Sequence, residues 1–256
     1  MDNGIIVTPG LVLRETETKE SDKILTVLTP ELGRISVIAK GARSRRSKYT
    51  AACQLLAYDE MTLRHKGEWY YLTEASTLAL FDGVRQDIEK LALAMYFAEL
   101  TETVCQDAMA AADMLPLLLN ALYALGTLEK PKRLVKAAFV WRLLAEAGFA
   151  PLMDGCAVCG RETPEAPMLD VTQGVLRCGG CRTSGSGLSL PLTAGAVQAL
   201  RYILSCPPKK LYGFSLDGAG LVMLDRAGEA FCAVQLERGF RTLDYYKALL
   251  PGDDVE

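Results

Sequence analysis

The chain has 256 residues, half of them apolar and 23% charged, with a net charge of −3. It can bury one to three modest cores and is too apolar to remain an unfolded chain. The first nine residues lack a basic segment followed by a long apolar one. The longest apolar run, near Met114 to Leu125, is broken by Pro116 and Asn120 and is too short to span a bilayer, so a soluble cytosolic protein is expected rather than a secreted one.

The first 80 residues read as strands. Gly10 to Thr16, Lys23 to Thr29 and Arg34 to Ala39 are rich in Val, Ile, Leu and Thr, with Pro30-Glu31-Leu32-Gly33 as the turn between the second and third. Ala57 to Arg64 gives a fourth strand, turning at Lys66-Gly67 into a fifth, Glu68 to Thr73, which carries Trp69, Tyr70 and Tyr71. Five short strands with a longer link between the third and fourth match an OB-fold barrel, with an SH3-like barrel as the competing fold.

An acidic total argues against a nucleic-acid partner, but the charge is segregated. Between Gly33 and Lys66, eight basic residues (Arg34, Lys40, Arg43, Arg45, Arg46, Lys48, Arg64, Lys66) face only Asp59 and Glu60. Acids gather instead between Asp82 and Asp113, at Asp82, Asp87, Glu89, Glu99, Glu102, Asp107 and Asp113. The long link itself, Lys40 to Tyr49, has five basic residues in ten and cannot pack inside, so it is a solvated loop able to lie along phosphates. A merely solvated charge run is the plainer reading. The neighbouring basic turn and the side chains of Tyr49, Trp69 and Tyr71, which could stack on bases, favour nucleic-acid binding over it.

From Phe81 the period becomes helical. One helix is expected over Val84 to Met109, with Ile88, Leu91, Met95, Ala98 and Glu102 in line, Leu93, Phe97 and Leu100 widening its apolar face, and the acids opposite. A second runs from about Leu115 to Leu125, stopped by Gly126, and a third from Pro131 to Ala147, closed at Gly148. Lys132, Arg133 and Lys136 cluster in the first turns of the third, where cations oppose the helix dipole at about 0.3–1 kcal/mol each. They form either a site for an acidic, aromatic-bearing peptide or a solubilising face. Further on, a helix is expected over Thr193 to Leu204, loop or short strand over Tyr212 to Leu224, and a last helix from about Ala227 to Leu250. Together these make a helical bundle.

Inserted between the helices, at about residues 153–190, is C-A-V-C (Cys156, Cys159), then 18 residues, then C-G-G-C (Cys178, Cys181). Two such pairs fit one four-thiolate zinc ion, with Met168 to Arg177 as a hairpin turning at Thr172-Gln173-Gly174. Two disulfides or two redox pairs fit the expected compartment and the surrounding pattern less well. Four thiolates leave no open position for water and the chain has one histidine, His65, so the zinc is read as structural and an enzyme is disfavoured. Arg161, Arg177 and Arg182 balance Asp154, Glu162, Glu165 and Asp170, so the insertion is a weak claimant for the main nucleic-acid contact. Cys53, Cys105, Cys206 and Cys232 stand alone in apolar surroundings, as buried small hydrophobes do.

A basic barrel at about residues 1–80, then a helical domain at about 81–256 with an inserted zinc ribbon, resembles the RecO family of bacterial recombination mediators. The resemblance covers essentially the whole chain. Its carriers are G-L-V-L-R-E-T at Gly10 to Thr16, L-T-P-E-L-G-R-I-S-V-I-A-K-G-A-R at Leu28 to Arg43, R-L-L-A-E-A-G-F-A-P-L at Arg142 to Leu152, and the two CxxC pairs, which alone are shared with many zinc proteins. It implies a non-catalytic DNA-repair factor that binds single- and double-stranded DNA, anneals complementary strands, pairs with RecR, and helps load RecA onto DNA coated by single-stranded-DNA-binding protein. The coating protein's acidic, phenylalanine-ended tail would meet Lys132, Arg133 and Lys136. The competing class is a zinc-stabilised adaptor that binds only proteins.

Overall fold

The computed structural model describes residues 4–105, 111–181 and 187–250 and divides into two compact units. One comprises residues up to Gly126 with those from Arg241 onward, and the other is Thr127–Phe240.

The first unit begins with five strands, β1 (Ile5–Thr18), β2 (Asp22–Thr29), β3 (Gly33–Ala39), β4 (Tyr58–Lys66) and β5 (Trp69–Ala79), in the closed order β1-β2-β3-β5-β4. β3 runs parallel to β5 while the other pairs are antiparallel, which is the OB-fold arrangement and decides against the SH3-like alternative. One long strand serves two neighbours: β1 pairs β4 through Leu11 and β2 from Leu11 onward, with a bulge between Val12 and Arg14. Gly10 lets β1 pass close to β2, since a Cβ there would sit 2.6 Å from Val27 Cγ1. The interior follows from alternation. Ile35, Val37 and Ala39 point in from β3 and Met61 and Leu63 from β4, joined by Leu25, Val27 and Leu72. The β3–β4 link closes over them with Ala42, Tyr49, Cys53 and Ala57.

The expected helix from Val84 is broken. A single turn, α1 (Asp82–Arg85), precedes α2 (Ile88–Val104), because Asp87 is extended and its carboxylate accepts the N–H groups of Glu89 and Lys90 as an N-cap. Its expected end at Met109, and Asp107, lie outside the described residues. The buried face is Leu93, Phe97, Leu100 and their neighbours, whereas Ile88, taken as the start of the apolar line, is exposed. Two of the acids of α2 are engaged rather than solvated. Glu102 takes the Arg14 guanidinium of β1 at 2.9 and 3.1 Å, and Glu99 accepts from the backbone and hydroxyl of Thr242. α3 (Met114–Thr127) runs through Gly126 rather than stopping there; the Gly126 carbonyl crosses so close to Gly83 that a Cβ there would meet it at 2.4 Å. α7 (Arg241–Leu249) packs on α2.

The second unit is built on α4 (Lys132–Leu144), which continues into a π turn, Ala145–Phe149, ended at Gly148 with φ 92°. α5 (Ala194–Ser205) and α6 (Gly218–Gln235) pack against α4. α6 starts nine residues before the expected position, capped by Asp217, and its run ends before α7 because Glu237 adopts φ 52°. Gly228 serves packing: a Cβ there would lie 3.0 Å from the Trp141 indole nitrogen, which donates to the Leu224 carbonyl at 3.1 Å. Between α4 and α5, β6 (Met168–Asp170) and β7 (Val175–Arg177) form the expected hairpin, and β8 (Ser189–Pro191), which the sequence reading missed, adds a third strand beside β6. Among the described residues no helix is long and apolar enough to cross a membrane.

Candidate nucleic-acid interface and metal centre

Barrel register places the basic and aromatic side chains. Ile38 of β3 pairs with Tyr71 of β5 and Tyr71 with Arg64 of β4, so all three share the outer face. The row extends through Ile24 on β2 and Ile5 on β1. Lys40, two residues beyond Ile38, holds its ammonium 5.6 Å from the Tyr71 ring centroid. Tyr71 is therefore a half-exposed ring between two cations, a surface on which a base can stack while its phosphates are neutralised. At the β4–β5 turn Lys66 and Trp69 pair, both exposed, while His65 stacks on Tyr70 at 4.7 Å and Tyr70 leans into the core.

The β3–β4 link is an ordered turn. Ser44 N–H donates to Gly41 O at 3.1 Å and Ser47 N–H to Ser44 O at 2.9 Å, leaving Arg45 and Arg46 exposed at its tip. Lys48, also exposed, lies 4.9 Å from the Tyr49 ring centroid and donates to Thr73 O.

Three expected DNA contacts are otherwise engaged. Tyr49 is 9% exposed, packs in the barrel core and donates its hydroxyl to Thr73 O at 2.5 Å, so its ring is not a stacking surface. The Arg34 guanidinium is tied to the Glu102 carbonyl at the end of α2. Arg43 is paired with Glu17 at 2.8 Å. In the second unit, Lys136 of the expected peptide site is 4% exposed and bonded to Asp225 and Glu229, so neither a docking role nor a solubilising one is open to it. Lys132 and Arg133 are half-buried beside it.

The four cysteines converge. Their sulfurs lie within 4.8 Å of one another, and the Cys159 and Cys178 sulfurs are 3.8 Å apart. Zn–S bonds of about 2.3 Å in a tetrahedron require S···S edges of about 3.8 Å, so the set fits a metal ion held tetrahedrally by four thiolates. Two short turns aim the ligands. Cys156 O accepts from Gly160 N–H at 2.8 Å, with Gly160 at φ 74°, a left-handed conformation that glycine adopts without penalty. In the second, Cys181 N–H donates to Cys178 O at 3.0 Å. The hairpin behind them is fixed by a buried Arg177–Asp170 pair at 3.2 Å, and Asp170 also accepts the Thr172 and Gln173 amides. Arg182 lies outside the described residues.

Burial opposes ionisation of Cys156, but the backbone N–H groups of Cys159, Cys178 and Val158 aimed at its sulfur outweigh it and bring the thiol down to about 6. Hydrogen bonding with Cys159, followed by burial, pushes Cys181 up to about 12. Cys53, Cys105, Cys206 and Cys232 are buried, and burial pushes the Cys53 thiol up to about 12 and that of Cys105 to about 11, as inert core thiols require.

What sequence reasoning missed is the β1–β2 turn, whose acceptors hold the basic link. Nothing local announces that contact, because the turn and the link lie about twenty residues apart.

Comparison with known proteins agrees with this architecture. Residues 1–81 match the family model for the recombination protein O N terminal, and residues 85–244 that for the recombination protein O C terminal. The chain is 29% identical over 242 residues to the DNA repair protein RecO of Acetivibrio thermocellus, covering 94% of this chain and 96% of that one. It is 28% identical to that of Symbiobacterium thermophilum, with 94% and 96% covered, and 34% identical over 194 residues to that of Anaeromyxobacter dehalogenans, with 75% and 76% covered. Matched across both its barrel and its helical part, this chain belongs to the RecO family of DNA repair proteins.

Proposed function

We propose that this protein is a recombination mediator that binds single- and double-stranded DNA on its barrel, anneals complementary strands and, with RecR, helps load RecA onto DNA coated by single-stranded-DNA-binding protein. The observation that carries the reading is the outer barrel face, where Lys40 and Arg64 flank the half-exposed Tyr71 and Arg45 and Arg46 stand exposed on the adjoining turn. They would neutralise phosphates and stack on any base, as a repair factor meeting arbitrary sequence requires. Lys48, Lys66 and Trp69 extend the surface.

The four cysteines hold one zinc ion with a structural role, and no covalent step is assigned to the protein. A closed thiolate set offers water no coordination position. The protein works in the cytoplasm at the nucleoid. The tail of single-stranded-DNA-binding protein docks near Lys132 and Arg133, without Lys136.

Equilibrium binding of naked single- and double-stranded oligonucleotides tests the reading. Micromolar or tighter binding that weakens steeply with salt is expected. Undetectable binding at low salt would leave a protein-only, zinc-stabilised adaptor as the better account.

A further inference from the structure

Arg43 sits within the most basic stretch of the chain, yet its contacts are those of a strut. Its backbone N–H donates to Ser21 O at 3.0 Å, and one guanidinium nitrogen reaches both Lys19 O and Glu20 O at 3.3 Å. The other terminal nitrogen pairs with the Glu17 carboxylate at 2.8 Å. Three successive carbonyls of the β1–β2 turn and one carboxylate of β1 thus accept from a single residue. A fifth contact lies two residues earlier, where Gly41 N–H donates to Asp22 Oδ1 at 2.8 Å. The far end of the link is held as firmly, by Lys48 and Tyr49 on Thr73 O and by the Tyr49 ring in the core. Between the two anchors only the tight turn bearing Arg45 and Arg46 projects.

We propose that Arg43 is a positioning residue that clamps the basic link to the β1–β2 turn, so that Arg45 and Arg46 are the guanidinium groups the link presents to the DNA backbone. The proposal rests on the reading of the barrel as a DNA-binding surface. Two physical reasons carry it. Glu17 neutralises the Arg43 charge, so moving it onto a phosphate gains one ion pair by breaking another together with its carbonyl bonds. Fixing the turn before DNA arrives also removes an ordering cost that a free loop would meet on binding. Glu17 and Asp22, two acids beside a DNA surface, then act in favour of binding.

Fluorescence anisotropy with a single-stranded oligonucleotide, over a salt series, separates the roles. Arg45→Ala with Arg46→Ala should lower the salt slope by about 1.4, at about 0.7 per phosphate contact. Arg43→Ala should weaken binding by about threefold to fivefold with the slope unchanged, the scale of an exposed ion pair with its hydrogen bonds. Added to the Arg45/Arg46 double variant, it should do nothing more. Glu17→Ala should weaken binding too, although it removes a negative charge. A slope lowered by about 0.7 in Arg43→Ala, a further loss in the triple variant, or tighter binding by Glu17→Ala would each overturn the proposal.

Amide hydrogen exchange gives a second measurement that needs no DNA. The Ser44 and Ser47 amides should exchange at least severalfold faster in Glu17→Ala with the melting temperature unchanged, and equal exchange would refute the clamp. Failure of the unaltered protein to bind any oligonucleotide would strike the DNA reading itself, leaving the clamp to be judged by exchange alone.

Discussion

The Lys136 ammonium lies 2.9 Å from the Asp225 carboxylate, with the two side chains only 5% and 9% exposed. Glu229 bonds the same ammonium and Arg133 stands 3.6 Å from Asp225, so α4 and α6 are joined by a compact ionic cluster. Burial pushes Asp225 up to about 6 in spite of Lys136.

Breaking such a cluster from one side leaves buried acids without their main counter-charge. Lys136→Ala should destabilise the protein by about 3–5 kcal/mol in chemical denaturation. A loss below about 1 kcal/mol would mean that water reaches the cluster.

Asp59 points into the barrel from β4 and is fully buried, with Thr77 of β5 paired opposite it. Burial raises it from 3.8 to about 6, with the Thr77 hydroxyl opposing the shift. The folded state therefore holds this proton more tightly than the unfolded chain. Stability from this group is present at pH below about 4 and is lost as pH rises towards and through about 6. Asp59→Asn should gain about 1–2 kcal/mol at pH 7.5, and the gain should fade as pH drops from about 6 to about 4. A gain independent of pH would refute the assignment.

Metal analysis and metal removal test the cysteine site. One zinc per chain is expected by elemental analysis, and a strong chelator or Cys178→Ser should lower the melting temperature by roughly 5–10 °C. Affinity for naked DNA should survive below the new transition. Lost DNA binding with unchanged melting would make the metal module a contact instead.

Lys132 is the probe of tail docking, because it is half-buried where Lys136 is buried. Lys132→Glu should weaken binding of an acidic, phenylalanine-ended peptide at least tenfold, by calorimetry, and spare naked DNA. Equal loss of both would remove the site from this helix.

Much of this was legible because it is local. Alternating Val and Ile residues mark the strands, Thr172-Gln173-Gly174 marks the hairpin turn, and the CxxC spacing marks the sulfur cluster whose geometry fits a metal ion. What escaped depends on partners far along the chain. Composition makes Tyr49 and Lys136 surface residues, yet Tyr49 caps the barrel core and Lys136 meets two acids 89 and 93 positions away. The break before α2 was readable in principle from Asp87 and its N-cap geometry, but an unbroken apolar period obscured it. Gly218 and Gly220 of α6 read as loop because the close approach of Thr193 and Leu216 that favours glycine at position 220 is not local to the helix.

Annealing of two complementary oligonucleotides, each coated beforehand with single-stranded-DNA-binding protein, tests the central claim most directly. The unaltered protein should accelerate duplex formation, and the Arg45→Ala, Arg46→Ala variant should lose most of that acceleration while melting at the same temperature. Acceleration undiminished in the variant would move the working surface off the barrel link, and none from either protein would contradict the mediator account.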